Sequence, residues 1–119
     1  MISETDAAYI AGLFDGEGHV SYKQYMRQRK HHNKPYPTWQ IRLEISMTDE
    51  AVLKWIHNIL KVGTVGPKKV RPGRLPQWRW RCSHRDALAV ANEIIPFARV
   101  KNDHLKKIID HYEIKKNTH

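Results

Sequence analysis

Two carboxylates separated by one residue lie among glycines in the stretch Asp15-Gly16-Glu17-Gly18. The apolar pattern before this stretch predicts a helix, which would leave Glu17 near the helix carboxyl terminus. The helix dipole disfavours an anion at that end, so a carboxylate there indicates that a cation is expected nearby. A packed helix that stops at glycine and leaves a solvated acid explains the same residues, and the stretch alone leaves both interpretations open.

The helix that must position these carboxylates is expected to begin at Ser3, the predicted N-cap, with Asp6 three residues later. Large apolar side chains cover one side of this helix. Glycine inside a helix costs about 1 kcal/mol relative to alanine, so Gly12 predicts that a second backbone approaches closely on the other side. The residues predicted to form this thin stripe are Ala8, Gly12, Asp15 and Gly16.

The composition indicates a single domain over residues 1–119 that has a polyanionic partner. The chain has 21 Lys and Arg residues against 12 Asp and Glu residues, which gives a formal net charge of +9. The sequence pI is about 9.9. Such a balance is typical of proteins that bind nucleic acid, and a generally basic soluble surface is the alternative.

The rest of the composition predicts an intracellular protein and argues against a membrane span, an internal disulfide and a zinc site. A mean hydropathy of -0.68 and the lack of a long apolar run predict that the chain does not span a membrane. The lack of a secretory leader and the single cysteine, Cys82, predict an intracellular protein of the cytoplasm or an organelle. Cys82 has no partner for an internal disulfide, and with His84 it forms no recognisable zinc set.

Beyond the first helix, the hydrophobic periodicity predicts the order α-β-β-α-β-β-α-α. The first strand is expected from His19 into a basic turn, and the second from about Thr38 to Met47. After a helix capped in the Thr48-Asp49-Glu50 segment, a third strand is expected to end at Val70 and a fourth to run from Leu75 to Cys82. Ser83 is the predicted cap of the next helix, which runs through Ile95 until Pro96 breaks it, and a last helix follows Asn102. Two hairpins joined by helices predict one four-stranded antiparallel sheet with helices on one face.

Each strand is expected to place polar or basic side chains opposite its apolar ones. Gathered on one surface, these cations repel one another unless a polyanion neutralises them, and a curved ribbon of strands fits the major groove of duplex DNA. The alternative is an ordinary solvated sheet face. In the fourth strand, a slip of one residue would turn Trp78 and Trp80 outward, but it would bury arginines at a high cost. The predicted DNA-binding residues are Ser21, Lys23, Tyr25, Arg27, Arg29, Gln40, Arg42, Glu44, Lys69, Gln77, Arg79 and Arg81. Among these, arginine suits guanine, glutamine suits adenine, and Glu44 could accept from cytosine.

The segment Ile10-Ala11-Gly12-Leu13-Phe14-Asp15-Gly16-Glu17-Gly18 resembles the motif that names the LAGLIDADG homing endonucleases. Here Ile replaces the first Leu, Phe the second apolar residue, Gly the second Ala and Glu the second Asp. A second segment, Pro96 to Lys101, is similar to the family's segment before its final helix. The resemblance extends over nearly the whole chain and implies an α+β fold of the αββαββα type with an extra C-terminal helix and a saddle-shaped sheet.

The resemblance to single-motif members also implies a homodimer that cuts both strands of a long, roughly palindromic DNA site. The small stripe would form the dimer interface, Glu17 with the Gly16 carbonyl would bind Mg²⁺, and Lys101 would stabilise negative charge during catalysis. Met47 departs from the family, many of whose members place a polar residue there that helps to hold the attacking water. The alternatives are an RNA maturase, a non-cleaving DNA-binding regulator of the same fold, and a basic protein that coats nucleic acid without specificity.

Overall fold

The computed structural model describes residues 2–28, 30 and 34–117, and it confirms the predicted order of elements. The elements are α1 (Glu4–Glu17), β1 (Gly18–Arg27), β2 (Tyr36–Met47), α2 (Glu50–Leu60), β3 (Thr64–Lys68), β4 (Gln77–Ser83), α3 (Arg85–Ile94), a short 3-10 helix (Ile95–Phe97) and α4 (Asn102–Asn117). In the described ranges, every helix is too short or too polar to cross a lipid bilayer.

The four strands form one antiparallel sheet in the order β1-β2-β4-β3, as predicted. Alternate residues of β2, namely Ile41, Leu43 and Ile45, are fully buried in the core. Residues of α1, α2, α3 and α4 join the same core, so the helices cover one face of the sheet and leave the other face to the polar residues of the strands.

The register of β4 is the predicted one. Trp80 is fully buried, and its indole N–H donates to the Val62 carbonyl at 3.0 Å. Gly63, next to that carbonyl, has a positive φ of 88°, and a Cβ there would lie 2.6 Å from the Arg81 carbonyl oxygen. Since glycine alone fits this conformation and this close approach, Gly63 lets β3 run directly alongside β4.

The predicted cap at Ser83 is wrong, because Ser83 is the last residue of β4 and still pairs with Arg42. The next N–H, that of His84, donates to the Ile41 carbonyl at 2.9 Å, so the chain leaves the sheet only after this residue. His84 then takes the N-cap position of α3 with a φ of 55° and no side-chain capping bond. The sheet ladder therefore outweighs the local preference of serine for a helix start.

Other predicted boundaries shift by a few residues. At α1 the predicted cap is confirmed, since the Ser3 hydroxyl oxygen accepts from the Asp6 N–H at 3.1 Å. The third strand ends at Lys68 and the fourth begins at Gln77, so the hairpin between them is longer than predicted.

The C-terminal helix α4 packs against the core face of β1 and β2 through aromatic rings. Tyr22 of β1 stacks on Trp39 of β2 with ring centroids 5.0 Å apart. The Tyr22 hydroxyl also lies 3.1 Å from His111 Nδ1, and the His111 ring meets Trp39 edge to face. These contacts make the extra helix part of the same core as the sheet.

Helix α1 turns into β1 without a connecting loop. Its last residue is Glu17, and the N–H of Gly18 still donates to the Phe14 carbonyl. A Cβ at Gly18 would collide with both the ring and the carbonyl of Phe14, which is buried, so only glycine lets the chain turn here. Glu17 therefore stands at the junction between the first helix and the sheet.

The carboxylate of Asp15 connects this junction by hydrogen bonds to the segment that precedes α4. One oxygen accepts from the Arg99 N–H at 2.7 Å and the other from the Lys101 N–H at 3.0 Å. The Lys101 ammonium in turn donates to the Asp15 carbonyl at 2.8 Å. This carbonyl lies in the last turn of α1, where the helix dipole stabilises a positive charge. Burial acts to raise the pKa of Asp15, but the backbone N–H donors and the Lys101 charge outweigh it and hold the pKa below 3.8.

We expect Asp15→Asn to lower the free energy of unfolding by about 1 kcal/mol near neutral pH. The asparagine amide would point a donor at one of the two backbone N–H groups. Because the folded-state pKa of Asp15 is lowered, the advantage of the wild type is complete above its ordinary value of 3.8 and is lost as the pH falls through the folded-state pKa. Denaturant unfolding of both proteins across acidic pH values measures this.

The matched control is Asp110→Asn, which changes an exposed carboxylate of α4 and should alter stability little. A stability difference between wild type and Asp15→Asn that stayed constant into strongly acidic solution would contradict the role of the ionised carboxylate.

Candidate nucleic-acid interface and active site

The sheet surface opposite the helices, here called the polar face, collects side chains from all four strands. Residues that lie directly opposite each other in an antiparallel pair point to the same side. Ser21 is opposite Arg42, which is opposite Ser83, and Glu44 is opposite Arg81, which is opposite Thr64. The predicted residues that this register brings together are Ser21, Lys23, Tyr25, Arg27, Gln40, Arg42, Glu44, Gln77, Arg79 and Arg81.

Two predicted DNA-binding residues are not among them. Arg29 lies outside the described residues. Lys69 lies just beyond the end of β3, whereas Lys68 is opposite Gln77 on the polar face and was missed. The missed signal was the parity of β3, since Val65 lies opposite the buried Trp80 and alternation from Val65 turns Lys68 to the polar side.

Within the four strands as the structure describes them, Glu44 is the only Asp or Glu residue. Its side chain is 17% exposed and lies between two cations, with 3.9 Å from one oxygen to Arg79 and 3.9 Å from the other to Lys68. The Ser46 hydroxyl donates to Glu44 at 3.3 Å and accepts from Lys68 at 3.2 Å. This group, Glu44, Ser46, Lys68 and Arg79, is called the Glu44 cluster below.

Arg42 occupies the middle of the polar face between β1 and β4. Its Nε atom is enclosed by the protein and has no hydrogen-bond partner there. An enclosed donor without a partner costs about 1–3 kcal/mol.

The end of α1 offers oxygen ligands beside this face. Gly16 and Glu17 are exposed, and Lys101 reaches the helix end through its bond to the Asp15 carbonyl. The part of the chain that the structure describes contains no cluster of three or more His, Cys, Asp or Glu residues able to hold a metal ion. One protomer thus presents Glu17 as a single carboxylate, with the Gly16 carbonyl as a neighbouring oxygen.

The thin stripe of α1 faces away from the protomer core. Ala8, Gly12 and Gly16 are exposed, and a Cβ built on either glycine would meet no atom within 4 Å. Asp15 differs from the other stripe residues, because it is half-buried and its carboxylate is bound to the Arg99–Lys101 backbone. Beside the stripe, Tyr9 is 55% exposed and meets Trp55 of α2 edge to face at 5.5 Å, and both line an open groove of about 400 Å³.

Two further residues, Cys82 in the core and Met47 at the end of β2, offer little chemistry. Burial raises the pKa of the Cys82 thiol to about 12, and the charge of Asp86 adds to the shift, so Cys82 stays protonated and is no nucleophile. Met47, half-buried at the end of β2 opposite Trp78, carries a thioether that accepts hydrogen bonds only weakly.

The fold is similar to that of several homing endonucleases. The homing endonuclease I-CvuI in complex with its target, in the presence of 2 mM Ca, matches with a TM-score of 0.75 at 19% identity over 97% of this chain and 70% of that chain. The archaeal intron-encoded homing endonuclease I-Vdi141I complexed with DNA matches with a TM-score of 0.71 at 18% identity over 90% and 66%. The homing endonuclease I-TnaI matches with a TM-score of 0.62 at 17% identity over 87% and 69%. At these identities the likeness shows the fold.

The sequence itself was also compared with known proteins and protein families. Among curated proteins, no significant relative is found. A family model described as LAGLIDADG endonuclease, however, matches residues 10–118, from the first helix through the C-terminal helix. This match includes Glu17, the polar face and Lys101, so the chain belongs to the LAGLIDADG endonuclease family.

Proposed function

We propose that the protein is a site-specific endonuclease that acts as a homodimer and cuts both strands of a roughly palindromic DNA site. The observation that carries the proposal is the junction of α1 with β1. There the exposed Glu17 ends the helix that carries the small stripe, and the next residue, Gly18, begins the first strand of the basic sheet. Such a substrate would place the protein in the cytoplasm or in an organelle that contains DNA.

Duplex DNA is the partner that the polar face suits. Arg27, Arg42 and Arg81 lie on one surface with lysines and amides, and the field of these cations attracts a polyanion. Backbone contacts from the cations would position the duplex, while arginine and glutamine side chains could read base edges in the major groove. The DNA-bound state of the similar proteins I-CvuI and I-Vdi141I supports this choice of partner.

The glycines of α1 support the proposal of a homodimer. Neither Gly12 nor Gly16 is required by any contact inside the protomer, although Gly12, in the helix interior, weakens the helix by about 1 kcal/mol relative to alanine. Close packing of two copies of the stripe would explain both glycines, because glycine lets two helix backbones approach closely. It would also bring the two Glu17 carboxylates together. Twofold symmetry of the dimer then predicts two related half-sites in the DNA.

The donor set fits Mg²⁺, which prefers oxygen ligands and keeps several of its waters, so few protein ligands are needed. The two Glu17 carboxylates, with the Gly16 carbonyls and the DNA phosphates, would hold the ion at the centre of the dimer. When bound, the metal supplies a nucleophilic water and stabilises charge on the phosphate oxygens.

Lys101 would place its ammonium near the developing negative charge of the phosphate or would orient the water around it. Asp15 acts on Lys101 as a positioning residue, because its carboxylate binds the Lys101 backbone N–H and its carbonyl accepts from the Lys101 ammonium. The end of α1 thus positions both Lys101 and Glu17, the proposed metal ligand.

Met47 favours a second candidate, a protein of the same fold that binds without cutting, either as a DNA-binding regulator or as an RNA maturase. A thioether at this position cannot hold a water as an amide or hydroxyl would. The exposed Glu17 favours cleavage. Measurements of cutting and of binding on the same substrate distinguish the two candidate functions.

We expect Glu17→Gln to bind its target with wild-type affinity and to lose cleavage in Mg²⁺ by ~100-fold or more, because a neutral amide is a poor metal ligand. Glu17→Asp keeps the carboxylate and is the matched control, with most of the activity retained. Cleavage assays and gel-shift titrations on a site selected from a randomised palindromic library measure both properties. Wild-type cutting by the purified Glu17→Gln protein would rule out the metal role.

We expect Gly12→Leu to fold as well as the wild type, since a Cβ at position 12 meets no other atom of the protomer within 4 Å. The leucine side chain should nevertheless prevent dimerisation, because it keeps the two helices from packing closely. Light scattering should give a mass near 14.0 kDa for this variant and about twice that value for the wild type. Ala89→Leu makes the same kind of enlargement at an exposed position of α3 and should remain dimeric. A wild-type protein that is monomeric at all concentrations and on DNA would exclude the composite site.

We expect affinity for DNA to fall steeply with salt, by a factor on the order of 10³ or more between about 50 mM and about 200 mM, if a dimer of the polar face contacts six or more phosphates. The reason is the release of counterions from the duplex. Fluorescence anisotropy over a salt series measures the slope. A nearly flat response would show that the basic face does not contact the DNA backbone.

A further inference from the structure

Glu44 is an anion at the centre of a surface that the proposed function requires to attract a polyanion. Each uncompensated carboxylate there repels phosphate and lowers the affinity for any DNA. No other acid lies in the four strands as they are described. An acid placed so unfavourably for general DNA binding points to a role in selectivity.

The geometry of the Glu44 cluster shows how both carboxylate oxygens are engaged. One oxygen faces Arg79, and the other accepts from the Ser46 hydroxyl and faces Lys68. The Glu44 side chain is 17% exposed, whereas those of Arg79 and Lys68 are 31% and 37% exposed. The two cationic side chains are therefore more exposed to solvent than the carboxylate that lies between them.

We propose that Glu44 is a positioning residue for base readout, which holds Arg79 and Lys68 together over one short segment of each half-site. This inference rests on the proposed DNA-binding function. Held in this way, the Arg79 guanidinium presents its planar fork to the N7 and O6 acceptors of a guanine with less loss of side-chain entropy on binding. Lys68 is held beside it through Ser46.

Without the carboxylate the two cations repel each other, and each is free to move to a phosphate. Phosphate contacts add affinity but carry no sequence information. Glu44 thus exchanges some general affinity for selectivity at the bases beneath the cluster.

The competing interpretation is direct readout, in which Glu44 itself accepts from the N4 amino group of cytosine. The two interpretations differ in whether the effects of Glu44 and Arg79 are independent. A positioning role requires that Glu44 act through Arg79, so both removals change the preference at the same base pairs and their effects do not add. Direct readout by Glu44 needs no Arg79, so a double variant clearly less selective than Arg79→Ala would overturn the positioning role.

The test compares wild type, Glu44→Gln, Arg79→Ala and the double variant on a library with randomised half-sites, by sequencing the bound DNA at fixed salt. We expect Glu44→Gln to lower the guanine preference by ~10-fold or more at the base pairs where Arg79→Ala also acts. The double variant should be no less selective than Arg79→Ala. Affinity of Glu44→Gln for random DNA should rise, with a steeper salt dependence.

Glu50→Gln is the matched control, since it removes the same charge from a carboxylate paired with Lys54 on α2, away from the sheet. Its base preference should be that of the wild type. Ser46→Ala, which removes the hydroxyl between Lys68 and Glu44, should weaken the preference at the same base pairs and carries the test if Glu44→Gln does not fold.

The outcomes separate this inference from the function on which it rests. A wild-type protein without any base preference would overturn the proposed function and the inference with it. A selective wild type whose preference is unchanged in Glu44→Gln, or changed at base pairs that Arg79→Ala leaves alone, would overturn the positioning role and leave DNA recognition intact.

Discussion

The bond between the Asp15 carboxylate and the backbone of residues 99–101 is the constraint on which the candidate active site depends. It joins the end of the first helix to the segment that begins the last one, across most of the length of the chain. Because the same helix end then carries Glu17, and the same segment carries Lys101, one interaction determines where both groups stand. An ionised carboxylate is suited to this role, since it accepts from two N–H donors at once and its pKa is lowered by them.

The junction at Gly18 works together with this constraint. Close contact with Phe14 leaves no space for a side chain, and the chain passes from α1 into β1 without a loop. A connecting loop would have let the helix end move relative to the sheet. Because of the tight turn, the packing of the buried Phe14 ring fixes the position of Glu17 instead. Packed interiors deform little, so this position is well defined.

Charge is distributed unequally between the two sides of the sheet. The helix side is an apolar core closed by Trp80, Phe14 and the aliphatic residues of β2, while the polar face carries cations close to one another. The Glu44 cluster shows that this face is more than a uniform basic surface, because its one acid is shielded by Lys68 and Arg79. Under the proposed function, attraction of a polyanion and discrimination between its sequences would come from different residues of the same face.

The sequence by itself determined the order of the elements, the family motif and the side of the sheet on which Arg79 and Arg81 lie. These follow from local periodicity and from the high cost of burying arginine, both of which can be read along the chain. Only the tertiary structure decided that Ser83 stays in the sheet, that Lys68 rather than Lys69 shares the polar face, and that Asp15 binds the backbone at residues 99–101. The first and the third depend on hydrogen bonds to neighbours distant in sequence, which cannot be read in the residue's own stretch of chain. The side of Lys68 follows from alternation along β3 once the pairing of Val65 with Trp80 fixes which residues face the core.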